Sequence, residues 1–238
     1  MTNQDLKRDF LEIVRSFKEY LLYLQDLNFE GLPKDKLTGL LGRQQLVSPA
    51  TKETEDKAAS LDALRKQISK CQLCPLGSSR TNLVFGTGSP DAQLVFVGEA
   101  PGRDEDLQGK PFVGKAGQLL TRIIKAIGLE REEVYIANIL KCRPPENRNP
   151  LSEEIAACEP FLIKQLEIIK PKLIVALGTF AAQTLLKTTD AISRLRGRFH
   201  LYQGIRLMPT YHPAYLLRNP QKKRDVWEDM QIVQKEYQ

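Results

Sequence analysis

Four cysteines and one long acid-free stretch are the residues of this chain most suited to chemistry by type and spacing. Cys71 and Cys74 form a C-x-x-C pair, while Cys142 and Cys158 lie far downstream. A C-x-x-C pair lets two sulfurs reach one metal centre from a single turn. Zinc sites usually repeat that tight pair, and here the second pair is split, which a four-thiolate iron–sulfur cluster tolerates better. A second reading stays open, in which Cys158, on an apolar stripe with Ile155 and Leu162, is a core cysteine. From Ala191 to Arg224 no acidic residue occurs, while Arg194, Arg196, Arg198, Arg206, Arg218, Lys222, Lys223 and Arg224 do. Phe199, Tyr202, Tyr211 and Tyr215 are interleaved with them. Basic groups release counterions from phosphates, and aromatic rings among them can stack on bases, so the stretch points to nucleic acid. A solvated basic face is the plainer alternative.

The totals agree with a soluble globular protein, at 42% hydrophobic and 27% charged residues over 238 positions. The net charge of +6 leans weakly toward a polyanionic partner. The polar start, Met1 to Phe10, is unlike a signal peptide, and no apolar run approaches the roughly 20 residues a membrane span needs. The expectation is a cytoplasmic monomer without a membrane, in a reducing compartment where cysteines serve as ligands more often than as disulfides.

The positioning elements follow from periodicity. Leu6, Phe10, Val14, Phe17, Leu21 and Leu24 recur at steps of three and four, giving an amphipathic helix over residues 1–27. Residues 28–57 read as a linker, and the main domain spans 58–238. The first helix is either a docking element for a protein partner or a peripheral cap. A helix over Ser60–Lys70 leads into Cys71. Apolar runs at Leu94–Val97, Val134–Ala137, Leu173–Leu177 and Ile205–Met208 alternate with helical patterns, including Ala116–Ile127 and Ser152–Ile169, the latter with Asn149 as N-cap. The fold class expected is α/β, a three-layer α/β/α sandwich around a mainly parallel four-stranded sheet. In such sheets ligands bind beyond the carboxyl ends of the strands, where Gly98–Gly109, Asn138–Asn149 and Tyr211–Asn219 fall.

Those segments carry a resemblance. Gly98-Glu99-Ala100-Pro101-Gly102-Arg103-Asp104-Glu105-Asp106 with Gln108-Gly109-Lys110-Pro111-Phe112-Val113-Gly114 resembles the first signature of the family 4 uracil-DNA glycosylases. Tyr135-Ile136-Ala137-Asn138 with Lys141-Cys142-Arg143-Pro144-Pro145 resembles the second, and His212-Pro213-Ala214-Tyr215-Leu216-Leu217-Arg218 the third. The match covers roughly Ala58 to Tyr237. It implies a [4Fe-4S] cluster on Cys71, Cys74, Cys142 and Cys158, structural in role, and hydrolysis of the bond between uracil and deoxyribose in uracil-containing DNA.

The resemblance also assigns roles. Phe112 stacks on the base, and Asn138 reads it, since an amide both donates and accepts. His212 donates to O2 of departing uracil, Glu99 acts near the sugar, and Glu105 arranges the loop or the histidine. Backbone N–H groups around Gly98, Ala100 and Gly102 hold uracil or phosphate. Leu216, four residues after His212, is a candidate wedge for the gap left by the flipped base, or else a leucine of an ordinary short helix, and Arg218, Lys222, Lys223 and Arg224 are candidates to hold phosphates. His200 matches no motif. No motif lysine is placed to attack the sugar, so a monofunctional enzyme is expected. A related subgroup traps DNA through a histidine ahead of the fourth cysteine; residues 141–158 contain none, so turnover is expected. The rivals are a non-catalytic iron–sulfur DNA binder, a glycosylase of broader base range, and a zinc protein.

Overall fold

The computed structural model describes residues 49–237, so the helix expected over 1–27 and the linker up to residue 48 lie outside the described residues. In chain order the helices and strands are α1 (Pro49–Ile68), α2 (Leu76–Ser79), β1 (Thr87–Gly88), β2 (Leu94–Gly98), α3 (Arg103–Gln108), α4 (Lys115–Ala126) and β3 (Tyr135–Asn138). They continue with α5 (Ser152–Ile169), β4 (Leu173–Leu177), α6 (Thr179–Leu186), α7 (Ile192–Leu195), β5 (His200–Tyr202), β6 (Ile205–Thr210), α8 (Pro213–Arg218) and α9 (Lys223–Tyr237).

The four apolar runs form the expected parallel core, with β3, β2, β4 and β6 side by side. Two short strands extend it: β1 pairs antiparallel with β3 and β5 with β6, giving six strands in the order β1-β3-β2-β4-β6-β5. Both are too short and too exposed to show a hydrophobic pattern. Side chains alternate across the sheet as the pleat requires. Val95, Val97, Ala137, Ile174 and Ala176 pack with α1, α5 and α6 on one face. Leu94, Phe96, Ile136, Val175 and Met208 pack with α4, α8 and α9 on the other. The result is the three-layer sandwich.

Two boundaries differ from expectation. Helix α1 begins at Pro49, inside the segment read as linker. Its first half is rich in Lys, Glu and Ala, which favour helix without marking an apolar stripe. Lys57 fastens this part to the domain through Asp91 (2.9 Å) and the carbonyl of Ile169 (3.3 Å). Helix α5 starts at Ser152 with Leu151 as N-cap, not Asn149. The carboxylate of Glu154 accepts from the Leu151 N–H at 2.8 Å and is gripped on both oxygens by Arg148, which moves the start downstream. No described helix is long and apolar enough to cross a membrane.

The chain runs from β2 outward to β3, then crosses back over β2 to β4 and outward again to β6. Connections therefore diverge between β2 and β4, and a crevice opens there beyond the strand ends.

Candidate active site and cysteine cage

A cleft of about 530 Å³ lies at that crevice. All four parallel strands feed it: Glu99 to Gly102 after β2, Asn138 at the end of β3, Gly178 to Phe180 after β4, and His212 after β6. The sequence reading named three of these segments and passed over Gly178, Thr179 and Phe180. Their signal was the same, a glycine directly after an apolar run. Gly178 has φ of +94°, and a Cβ there would lie 2.9 Å from Cβ of His212, so only glycine lets the two turns close together. Arg148 and Asn147 also line the cleft without having been singled out, and so does Tyr215, one of the aromatics of the basic stretch.

Phe112, Gly98 and Asn138 form a narrow slot. Asn138 is 2% exposed, and its Oδ1 has no hydrogen-bond partner among the described residues. A Cβ on Gly98 would stand 2.4 Å from that Oδ1 and 2.6 Å from Cζ of Phe112. The missing side chain of Gly98 therefore lets the ring and the amide come together at the end of β2. Phe112 adopts φ of +52°, an uncommon conformation for a bulky residue, held by its neighbours. Arg131 donates to the Pro111 carbonyl at 2.6 Å, and Glu105 Oε1 accepts from the N–H groups of Val113 (3.0 Å) and Gly114 (3.2 Å).

Glu105 also accepts from the N–H of Gly102 at 3.1 Å through Oε2. Both its oxygens are thus spent on backbone amides, which makes it an organiser of the loop that carries Phe112. The Gly102 N–H is correspondingly committed and is not free for uracil or phosphate. Glu99 differs. It lines the cleft, and burial pushes its carboxyl up to about 7.

His212 is the N-cap of α8, and its Nδ1 accepts from the Ala214 N–H at 3.1 Å. Burial pushes the imidazole down to about 4, opposed by Glu105 and aided by Arg218. The ring is neutral at physiological pH, and with Nδ1 accepting, its single proton sits on Nε2. Its centroid lies 5.5 Å from that of Phe112. His200, by contrast, bonds the carbonyl of Leu195 at 2.9 Å and lies outside this cleft.

Two expectations about the DNA-facing residues meet a different setting in the fold. Leu216 is 1% exposed and packed into the core with α4 and α9, so in this conformation it does not project as a wedge would. The helical turn that buries it turns its neighbour Leu217 outward, at 42% exposed. The acid-free stretch is also less free than it reads, because α9 supplies the missing acids. Arg196 pairs with Asp229 (2.7 Å), Lys222 with Asp225 (2.9 Å), Arg224 with Glu228 (3.1 Å), and Arg206 with Glu236. Arg218 lines the cleft, whereas Lys223 lies beside Trp227 in an apolar groove on the α4–α9 face.

The four cysteines surround one small cavity beside α1 and α5. All are free thiols. Among the described residues no three metal-binding side chains converge as a single ion would require; the four cysteines share the lining of this one cavity. Leu73, Leu83 and Phe161 wall it with apolar surface. Two donors already face the sulfurs: Arg80 Nη1 lies 3.1 Å from Cys142 Sγ, and the Lys141 N–H lies 3.3 Å from Cys158 Sγ. Such donors suit thiolates that carry charge.

Comparison with known proteins agrees with this geometry. Residues 85–231 match the Uracil DNA glycosylase superfamily. A type-4 uracil-DNA glycosylase from Archaeoglobus fulgidus is 47% identical over 182 residues, covering 73% of this chain and 92% of that protein. One from Thermotoga maritima is 46% identical over 175 residues, covering 72% and 91%. A type-5 uracil-DNA glycosylase from Pyrobaculum aerophilum is more distant, 32% identical over 146 residues, covering 54% and 64%. With a cleft built from the ends of four parallel strands and relatives matched over nearly their whole length, this chain belongs to the uracil DNA glycosylase superfamily, among the type-4 uracil-DNA glycosylases.

Proposed function

We propose that this chain removes uracil from DNA, hydrolysing the bond to deoxyribose of a flipped-out nucleotide and leaving an abasic site. The observation that carries the reading is the orphaned Oδ1 of Asn138, buried across the Gly98 slot from Phe112. An unpaired buried acceptor is costly until a ligand donates to it. Uracil presents an N3–H donor beside the O4 acceptor, so the amide makes two bonds to it while Phe112 covers the face of the ring. Cytosine presents an acceptor at N3 and leaves Oδ1 unpaired.

As the bond breaks, negative charge collects on uracil and positive charge on the sugar. The neutral His212 offers Nε2–H to O2 of the leaving base, and that bond strengthens as the charge develops. Glu99 in its ionised form favours the cationic sugar or orients the attacking water. Among the described residues no lysine lines the cleft, and the reading is of a monofunctional enzyme without a covalent amine intermediate. Arg218, which lines the cleft, suits phosphate contact, and the exposed Leu217 beside it on α8 suits the gap left by the flipped base.

Cys71, Cys74, Cys142 and Cys158 would hold a [4Fe-4S] cluster, with Arg80 and the Lys141 amide facing its ligands. That group supplies a covalent clamp joining the segment after α1, the loop after β3, and α5. In this reading the enzyme works in the cytoplasm as a monomer on DNA.

The test uses purified brown protein and an end-labelled oligonucleotide holding one uracil, followed by hot alkali. Scission only after alkali, lost in His212→Ala or Asn138→Ala with the visible spectrum intact, supports the reading. DNA binding without scission in any uracil context overturns it and leaves the non-catalytic binder.

A further inference from the structure

Lys141 is the least expected side chain of the interior. It is 1% exposed, and its Nζ donates to the backbone carbonyl of Asn138 at 2.7 Å and to Oε1 of Gln165 at 2.6 Å. Gln165, also buried, donates through Nε2 to the carbonyl of Phe85 (3.0 Å) and to the hydroxyl oxygen of Tyr135 (3.1 Å). Tyr135 and Asn138 are the first and last residues of β3. One glutamine on α5 therefore holds β3 at both ends, directly at Tyr135 and through Lys141 at Asn138. The same helix carries Cys158, whose sulfur accepts from the backbone N–H of Lys141. Lys141 thus touches both the cysteine cage and the residue whose amide faces the cleft.

Stability alone supplies no reason for a lysine here. Taking an ammonium out of water is costly, and the two bonds Lys141 makes to the Asn138 carbonyl and Gln165 offset that cost only in part. Methionine would fill the space. What lysine adds is direction, because a hydrogen bond to the Asn138 carbonyl sets the tilt of that peptide and with it the aim of the side-chain amide. Two simultaneous bonds to a base edge tolerate little misalignment.

We propose that Lys141 is a positioning residue for base recognition, locking the Asn138 peptide to α5 so that the Asn138 amide meets the base edge in one orientation. The proposal rests on the glycosylase reading above. It makes base recognition depend on a contact outside the cleft, and it separates base affinity from iron retention and stability, which are all that a purely structural lysine would support.

The experiment compares the full-length, iron-loaded wild type with Lys141→Met. Iron per chain, thermal midpoint, inhibition by free uracil, and kcat and KM on a uracil oligonucleotide are measured for each. The expected result is wild-type iron content and a folded protein with a midpoint lowered by a few degrees at most, with inhibition by free uracil weakened about tenfold or more. Wild-type inhibition by uracil in an active Lys141→Met enzyme overturns the proposal. So does a fall in iron content and midpoint with unchanged activity per loaded chain, which marks a structural lysine only. If Lys141→Met does not accumulate in loaded form, Gln165→Met is read the same way, since it unhooks the lysine from α5 but leaves its bond to Asn138; wild-type inhibition there overturns the proposal too. A wild-type chain inert toward uracil DNA overturns the glycosylase reading itself, a result distinct from either of these.

Discussion

Glu99→Gln should make the folded chain more stable and the enzyme slower, with a stability gain that grows with pH. Burial moves the Glu99 carboxyl from its ordinary 4.5 up to about 7. Below 4.5 the acid is protonated in both the folded and unfolded chain, and the residue costs nothing. Between 4.5 and 7 the unfolded chain releases its proton while the folded chain keeps it, so stability falls as pH rises. Above 7 the folded chain carries the buried charge and the full penalty applies. At about 1.36 kcal/mol per pH unit the displacement amounts to roughly 3 kcal/mol. Water in the cleft reaches this side chain and screens it, so about 1–2 kcal/mol is the expected gain at pH 8.5. The assay is anaerobic urea unfolding of both iron-loaded proteins at pH 5 and pH 8.5, followed by circular dichroism. With a urea dependence of about 2 kcal/mol/M, the midpoints should separate by about 0.5–1 M at pH 8.5 and by much less at pH 5. Excision should slow in the same variant, because the glutamine cannot carry the negative charge that favours the cationic sugar. Equal midpoints at both pH values, or a wider gap at pH 5, would refute burial of a charge as the origin.

Other consequences can be checked separately. Wild-type kcat/KM should fall on the acid side with a midpoint near 7, as Glu99 takes up its proton, and Glu99→Gln should be flat from pH 5.5 to 8; a remaining acid limb near 6.5 would show His212 titrating, contrary to its neutral ring. Asn138→Leu should lower single-turnover uracil excision about 10²–10⁴-fold while DNA affinity by anisotropy changes little, and comparable losses in both would mean that the amide holds the fold instead of the base. Leu216→Ala should cost about 2–5 kcal/mol of stability, whereas Leu217→Ala should leave stability within about 0.5 kcal/mol and slow excision from duplex more than from single strands. The reverse pattern would return the wedge to Leu216.

Much of this protein is legible in the sequence, for a physical reason in each case. The four parallel strands are buried on both faces, so Leu94–Val97 and Leu173–Leu177 stand out as nearly unbroken apolar runs. Phe112, Asn138 and His212 are nameable through the resemblance of their segments to the family 4 uracil-DNA glycosylases; taken alone, Phe112 reads as a core residue and Asn138 as a turn residue. The edge strands β1 and β5 left no mark, being two and three residues long and partly exposed. Nor did the first half of α1, whose polar helix formers show no stripe.

What only the tertiary structure decided concerns which side of an element a residue occupies and which distant group it meets. Leu216 and Leu217 are neighbours of identical chemistry, and the winding of α8 alone sends one into the core and the other outward. The basic stretch looked unopposed because its acids lie on α9, beyond the end of the run, and only the fold brings Asp229 to Arg196. Glu105 and Glu99 sit in one motif, yet one is consumed by three backbone amides and the other is left to the cleft with a displaced pKa. Residue type and local spacing are properties of the chain and can be read from it. Burial, pairing and proton affinity depend on what the fold packs against each group, and they exist only once the chain has closed on itself.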